Sequence, residues 1–308
     1  MEYLLIQLRI LKINVIALGW KKEFLSKNFE GLNKVVVDNF NKLKINAFIF
    51  PVTLLLCIVW LLYFNDGMSV EGYVNVQKDS FFYINSILSK FPNFQFNLTQ
   101  LGDVLIFLPF LTLLLVYAPK LWQSMLIGLL VSTIFTNVLK SFFALPRPAA
   151  MFDRDVFVIT GKAIVSHNSF PSGHSIATFT ILTSILFAFM PSKIKFKIPW
   201  FILIFMIGSV IAFSRVAVGA HYPLDVIIGS IIGYISALLG IIINRRFSLL
   251  DWLTDKKYYF ISIILFSIWA ILIINRILTL NLVVFYFALA SLLASLYIIT
   301  TIYVKKAY

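Results

Sequence analysis

Trp200-Phe-Ile-Leu-Ile-Phe-Met-Ile207 presents apolar side chains in every direction, and Ile181 to Phe189 has the same character. A membrane-spanning strand alternates apolar and polar residues, so runs of this kind specify helices, the spanning form that satisfies its own backbone. Comparable runs of about 17 to 22 residues recur along the chain, the length needed to cross a hydrocarbon layer of roughly 30 Å. With 60% hydrophobic and only 13% charged residues among 308, the composition excludes an ordinary soluble domain. The fold class is therefore all-α, a polytopic transmembrane bundle.

Spans are expected near 46–65, 101–118, 121–139, 174–190, 199–214, 223–243, 258–275 and 280–303. The last two, beyond Lys257, carry no polar constellation and read as a re-entrant pair or a packing addition. Three regions follow: a cytoplasmic or interfacial N-terminal region (1–45), a membrane core (46–245) and additional C-terminal helices (246–308). Met1 to Trp20 lacks a basic leader and a small-residue cleavage site and contains Arg9 and Lys12, so it reads as a retained interfacial helix. Asp66 to Gln100 reads as a polar-aromatic outer loop with a short helix over Phe81 to Leu88.

The net charge of +13 does not call for nucleic acid, because the cations cluster at helix ends rather than on a soluble basic face. With the N-terminus in the cytoplasm, 18 Lys and Arg fall inside and 8 outside, in line with the positive-inside rule. Both termini are then cytoplasmic in a multi-pass protein of the cytoplasmic (inner) membrane. Cys57 is the single cysteine, which rules out an intrachain disulfide framework.

Polar residues interrupt this chain in three clusters: Lys140 through Arg147-Pro148, Pro171-Ser172-Gly173-His174, and Ser214-Arg215 through His221 to Asp225. Counting spans puts all three on one membrane face, external or periplasmic for a cytoplasmic N-terminus. Three cations at one bundle mouth repel one another unless an anion lies between them. Phosphate suits that place, with Lys140 as a point charge and Arg147 and Arg215 each able to fork two donors onto its oxygens. Pro171 suits a helix start, and Gly173 admits close approach to the backbone, so the N–H groups of Ser172, Gly173 and His174 are candidate anion donors.

His221 and Asp225 are four residues apart behind Pro223, on one face at a helix start. Asp225 can hold one imidazole nitrogen while the other attacks phosphorus, and His174 can protonate the leaving alkoxide and then activate water.

These clusters together resemble the tripartite signature of the type 2 phosphatidic acid phosphatase superfamily. The resemblance covers residues 101–243, including Leu101-Gly102-Asp103. It implies a six-helix core, a phosphohistidine intermediate, no metal or cofactor, and lipid phosphate or diphosphate substrates. His221, His174 and Asp225 would be catalytic; Lys140, Arg147, Ser172, Gly173 and Arg215 would bind phosphate. Candidate substrates are phosphatidylglycerophosphate, phosphatidic acid, undecaprenyl diphosphate and lipid A phosphate. A lipid phosphotransferase would use the same residues, and a noncatalytic lipid binder or transporter is the other alternative.

His167 reads as a solvated loop residue. Asp103 has two readings, a partner of a site cation or a helix cap. Asn97-Leu98-Thr99 has the form of a glycosylation sequon, a pattern common by chance.

Overall fold

The computed structural model describes residues 31–307; the interfacial helix expected over Met1 to Trp20 lies outside them. Regular structure among the described residues is helical throughout. The principal elements are α1 (Ile49–Phe64), α2 (Val70–Leu88), α3 (Pro92–Gln100), α4 (Pro119–Phe143), α5 (Gly173–Ala188), α6 (Ile194–Ala217), α7 (Pro223–Phe247), α8 (Tyr259–Leu280) and α9 (Val283–Ala307). Six described helices are long and apolar enough to cross a membrane, those containing α1, α4, α6, α7, α8 and α9. The protein is a multi-pass helical membrane protein.

Two expected spans take other forms. The one near 174–190 is α5, an apolar helix of 16 residues. The one near 101–118 is a succession of short turns: Val104–Phe107, a 3-10 turn at Leu108–Leu111, and Leu114–Tyr117. Asp103 starts a new helix by accepting the Leu105 N–H at 3.0 Å, and Pro109 has no N–H with which to extend an α ladder. Helix α3 and the Val104–Leu111 segment meet at 85°. Beyond Lys257, α8 and α9 are two full-length helices packed against each other.

The expected outer loop is largely helical, and α2 runs for 19 residues. Ser69 accepts the Gly72 N–H at 3.0 Å and Glu71 lies in the first turn, both favourable at a positive helix N-terminus.

Helix α7 is the centre of the bundle, between α4 and α5. Small residues allow the approach: a Cβ on Gly240 would meet the Gly128 Cα of α4 at 2.6 Å, and one on Gly233 would collide with the Ile176 carbonyl oxygen of α5. Van der Waals contact between close backbones is a principal source of helix association in lipid. At one end of α7, Arg245 donates to the Phe40 and Leu43 carbonyls at 2.9 and 3.2 Å, anchoring the helical stretch 31–41. At the opposite end, the C-termini of α4 and α6 meet the N-termini of α5 and α7.

Candidate active site

Helix α2 shapes this second end of α7. Asn85 donates to the Val216 and Ala217 carbonyls at 3.0 and 3.2 Å and accepts the Val158 N–H at 2.9 Å. Eight residues earlier, Gln77 accepts the Leu224 N–H at 2.9 Å. One helix thus adds a donor to two carbonyls at the end of α6 and takes an unpaired donor at the start of α7. The chain between them turns at Gly219, whose φ of +74° suits glycine. The Ala220 and His221 N–H groups donate back to the Arg215 carbonyl at 3.0 and 3.3 Å.

This turn brings the His221 Nδ1 to 3.4 Å from the Asp225 Oδ2. Three further donors hold the fully buried carboxylate: the Tyr73 hydroxyl on Oδ1 at 2.8 Å, and the Ser169 hydroxyl and Tyr222 N–H on Oδ2 at 2.6 and 3.1 Å. A buried charge needs such partners to remain tolerable. His221 is also buried, and its Nδ1 lies 3.5 Å from the Ser169 hydroxyl. With Nδ1 against the carboxylate, Nε2 is the nitrogen left for chemistry.

Burial holds the His221 pKa well below the ordinary imidazole range, and the charges of Arg147, Arg215, Lys140 and His174 push it the same way. The ring is neutral at physiological pH. Burial also raises the Tyr73 pKa well above its usual value, reinforced by the Asp225 charge, so Tyr73 stays protonated as a donor.

Asn168 ties two cations together. Its carbonyl accepts from the Lys140 Nζ at 2.7 Å and its side-chain oxygen accepts from the Arg147 Nε at 3.0 Å. The Arg147 Nη1 donates to the Ala220 carbonyl at 3.1 Å, one residue before His221. Arg215 donates from Nη1 to the Thr99 hydroxyl at 2.7 Å, while its Nε–H is buried without a protein partner. Such an orphaned donor on a buried cation fits an incoming anion.

Ser172 caps α5, accepting from the Ser175 N–H and hydroxyl at 3.5 and 3.0 Å. Its own N–H, expected to be free for an anion, instead donates to the Asp225 carbonyl at 3.1 Å. That bond joins the starts of α5 and α7. Gly173 leaves open space, with a single Thr136 methyl 3.5 Å from where its Cβ would lie. His174 follows in the first turn, and Gly102 packs so closely on it that a Cβ there would meet the His174 Cβ at 2.8 Å.

The motif residues therefore converge at one end of the bundle. Tyr73, Gln77, Asn85, Thr99, Asn168 and Ser169 join them from outside the motifs. Of the two readings of Asp103, helix capping is met, and its carboxylate lies 3.6 Å from the Arg276 guanidinium. The sequon residues are structural: Asn97 accepts the Val284 N–H at 3.2 Å and Thr99 holds Arg215. His167 is exposed. Among the described residues, no group of three or more His, Cys, Asp or Glu is arranged to hold a metal.

Fold and site define a class: a multi-pass helical membrane protein carrying a buried His–Asp pair beneath one lysine and two arginines. Residues 121–249, which contain all three motifs, match the model of the PAP2 superfamily, the family those motifs resemble. The chain is similar to a probable lipid phosphate phosphatase beta of Arabidopsis thaliana, 28% identical over 38% of this chain and 62% of that protein. It is 32% identical to a lipid A 1-phosphatase of Rhizobium etli, over 39% of this chain and 48% of that one. An undecaprenyl-diphosphatase of Sulfolobus acidocaldarius is 25% identical over 55% and 75%. The chain spans less than two thirds of the length of the first two relatives.

Proposed function

We propose that the protein is a metal-independent phosphatase of lipid phosphates or diphosphates, with its site on the external or periplasmic face of the cytoplasmic membrane. The observation that carries this reading is the neutral, buried His221 braced by Asp225 and surrounded by Arg147, Arg215 and Lys140. The charge distribution supports the orientation, and the names of the similar proteins support a lipid phosphate as substrate.

In this mechanism Lys140, Arg147 and Arg215 hold the phosphoryl oxygens, and the Gly173 and His174 N–H groups at the start of α5 add donors. The His221 Nε2 attacks phosphorus, forming a P–N bond as the P–O bond to the lipid breaks. Asp225 stabilises the positive charge on the ring. His174, protonated once the negative phosphate lies beside it among the cations, gives its proton to the departing oxygen, then takes one from the water that attacks phosphorus in the second step. Phosphate leaves and His221 returns to its neutral form.

The test is phosphate release by the purified full chain from phosphatidylglycerophosphate, phosphatidic acid, undecaprenyl diphosphate and lipid A phosphate, with and without an acceptor lipid. Release that depends on water alone and disappears in His221→Ala is expected. Turnover only with the acceptor lipid would assign a phosphotransferase, and wild-type turnover by His221→Ala would refute the site.

A further inference from the structure

Beside the site lies an apolar cavity of about 590 Å³, within the range of small-molecule pockets. Its walls have a regular helical register. Helix α4 contributes Phe135, Leu139 and Phe142, and α7 contributes Ile228, Ile232 and Ile235. The third side is α1, through positions 55, 59 and 62. Each set follows the i, i+4, i+7 spacing of one helix face. Three such stripes make a slot running roughly 10 Å along the helix axes, the direction in which lipid chains lie. Among its lining residues, only Ser69 and Tyr73 carry a polar side-chain atom.

The slot is continuous with the chemistry. Tyr73 lines it and donates its hydroxyl to Asp225 at 2.8 Å. Phe170 and Leu145 also line it; Phe170 follows Ser169, a second donor to Asp225, and the Leu145 carbonyl accepts the Ser169 N–H at 2.9 Å. On α4, Leu139 of the slot precedes Lys140 of the cation cluster. A molecule with a phosphate among the cations and a hydrocarbon chain attached therefore has an apolar path leading away from the site. Val59 and Phe142 at the rim are 49% and 76% exposed, so the slot can be entered from the side.

We propose that this slot, between α1, α4 and α7, seats the hydrocarbon chain of the lipid phosphate substrate. The proposal rests on the phosphatase reading and adds to it a site that selects for the chain. The side chains at 59, 232 and 235 then determine which chains are accepted, whereas the cations treat all phosphate headgroups alike.

Val59→Trp and Ile235→Trp each put an indole into the slot without altering a site residue. Val59 is half exposed and accommodates the change even where Ile235 does not. For a long-chain lipid phosphate, kcat/KM is expected to fall about tenfold, as for the loss of roughly two buried methylenes. For p-nitrophenyl phosphate, which has no chain, it is expected to stay within about twofold. A long-chain alkyl phosphate bearing a diazirine in its chain should label peptides of α1, α4 and α7 in the wild-type protein. Label elsewhere, or equal kcat/KM losses for both substrates in Val59→Trp, overturns the slot while leaving the phosphatase reading intact. Label in the slot with no phosphate released from any substrate overturns the phosphatase reading and leaves the slot standing.

Discussion

Replacing Tyr73 by Phe deletes one hydroxyl whose partner is the Asp225 Oδ1 at 2.8 Å. Tyr73 is buried, so water does not readily take over the donor's place. A hydrogen bond to a charged acceptor contributes about 2 kcal/mol, and loss of that size corresponds to roughly thirtyfold in an equilibrium or a rate. Two effects on turnover oppose each other. A carboxylate with one donor fewer is held less firmly, which lowers the fraction of correctly oriented His221. The same carboxylate carries less neutralised charge and so stabilises protonated His221 better. The kcat should therefore fall by about tenfold rather than the full factor.

The pH profile separates this role from a purely structural one. The His221 pKa is depressed, so the acid limb of kcat/KM, set by protonation of His221, lies below the ordinary imidazole value of about 6.5, while loss of the His174 proton sets the alkaline limb. In Tyr73→Phe the strengthened carboxylate raises the His221 pKa, and the acid limb moves to higher pH. The assay is kcat/KM from pH 4 to 9, about the range in which imidazoles titrate, beside thermal unfolding in detergent. Lower thermal stability with an unmoved acid limb and wild-type kcat would refute the argument that Tyr73 acts through Asp225.

Arg215→Lys should lower turnover strongly without unfolding the protein, since a lysine cannot supply both the Thr99 contact and a forked pair of donors; wild-type kcat would remove Arg215 from the phosphate. Activity should survive EDTA, and a loss restored by added metal would overturn the metal-independent mechanism. In His174→Ala supplied with an aryl phosphate, base-stable and acid-labile phosphate should accumulate at His221, as mapped by peptide analysis after rapid quench. Turnover without any labelled protein would favour direct attack by water.

How much of this was legible in the sequence follows from the range of each interaction. Helices such as α7 announce themselves because an apolar run in lipid has to satisfy its own backbone. The region 101–118 is as apolar as its neighbours, yet hydropathy cannot register that Asp103 starts a new helix or that Pro109 interrupts the ladder. The proline itself was visible, and its reading depends on what packs around it. The stretch 66–100 looked like a loop because α2 mixes polar and apolar residues. Its Tyr73, Gln77, Phe81 and Asn85 are all buried, at a spacing of four that marks one helix face. That stripe was a signal available in the sequence.

The motif residues were readable because their chemistry is unusual in lipid, where each cation or histidine demands a reason. Tyr73, Thr99 and Ser169 demand none, since a hydroxyl in a polar-aromatic stretch is unremarked until its partner is known. Their partners lie 152, 116 and 56 residues away, and no local spacing encodes such pairings. The reading of Ser172 differed from its structure for the same reason: a helix start predicts a free N–H, but the nearby start of α7 supplies the Asp225 carbonyl to take it. The consequence concerns preorganisation. Asp225 receives donors from α2 through Tyr73, from the loop through Ser169 and from its own helix start through Tyr222, while its carbonyl holds α5. Motion of any of these elements changes the carboxylate that orients His221, so substitutions in α2, far from the motifs in sequence, should alter the His221 titration before they alter the fold.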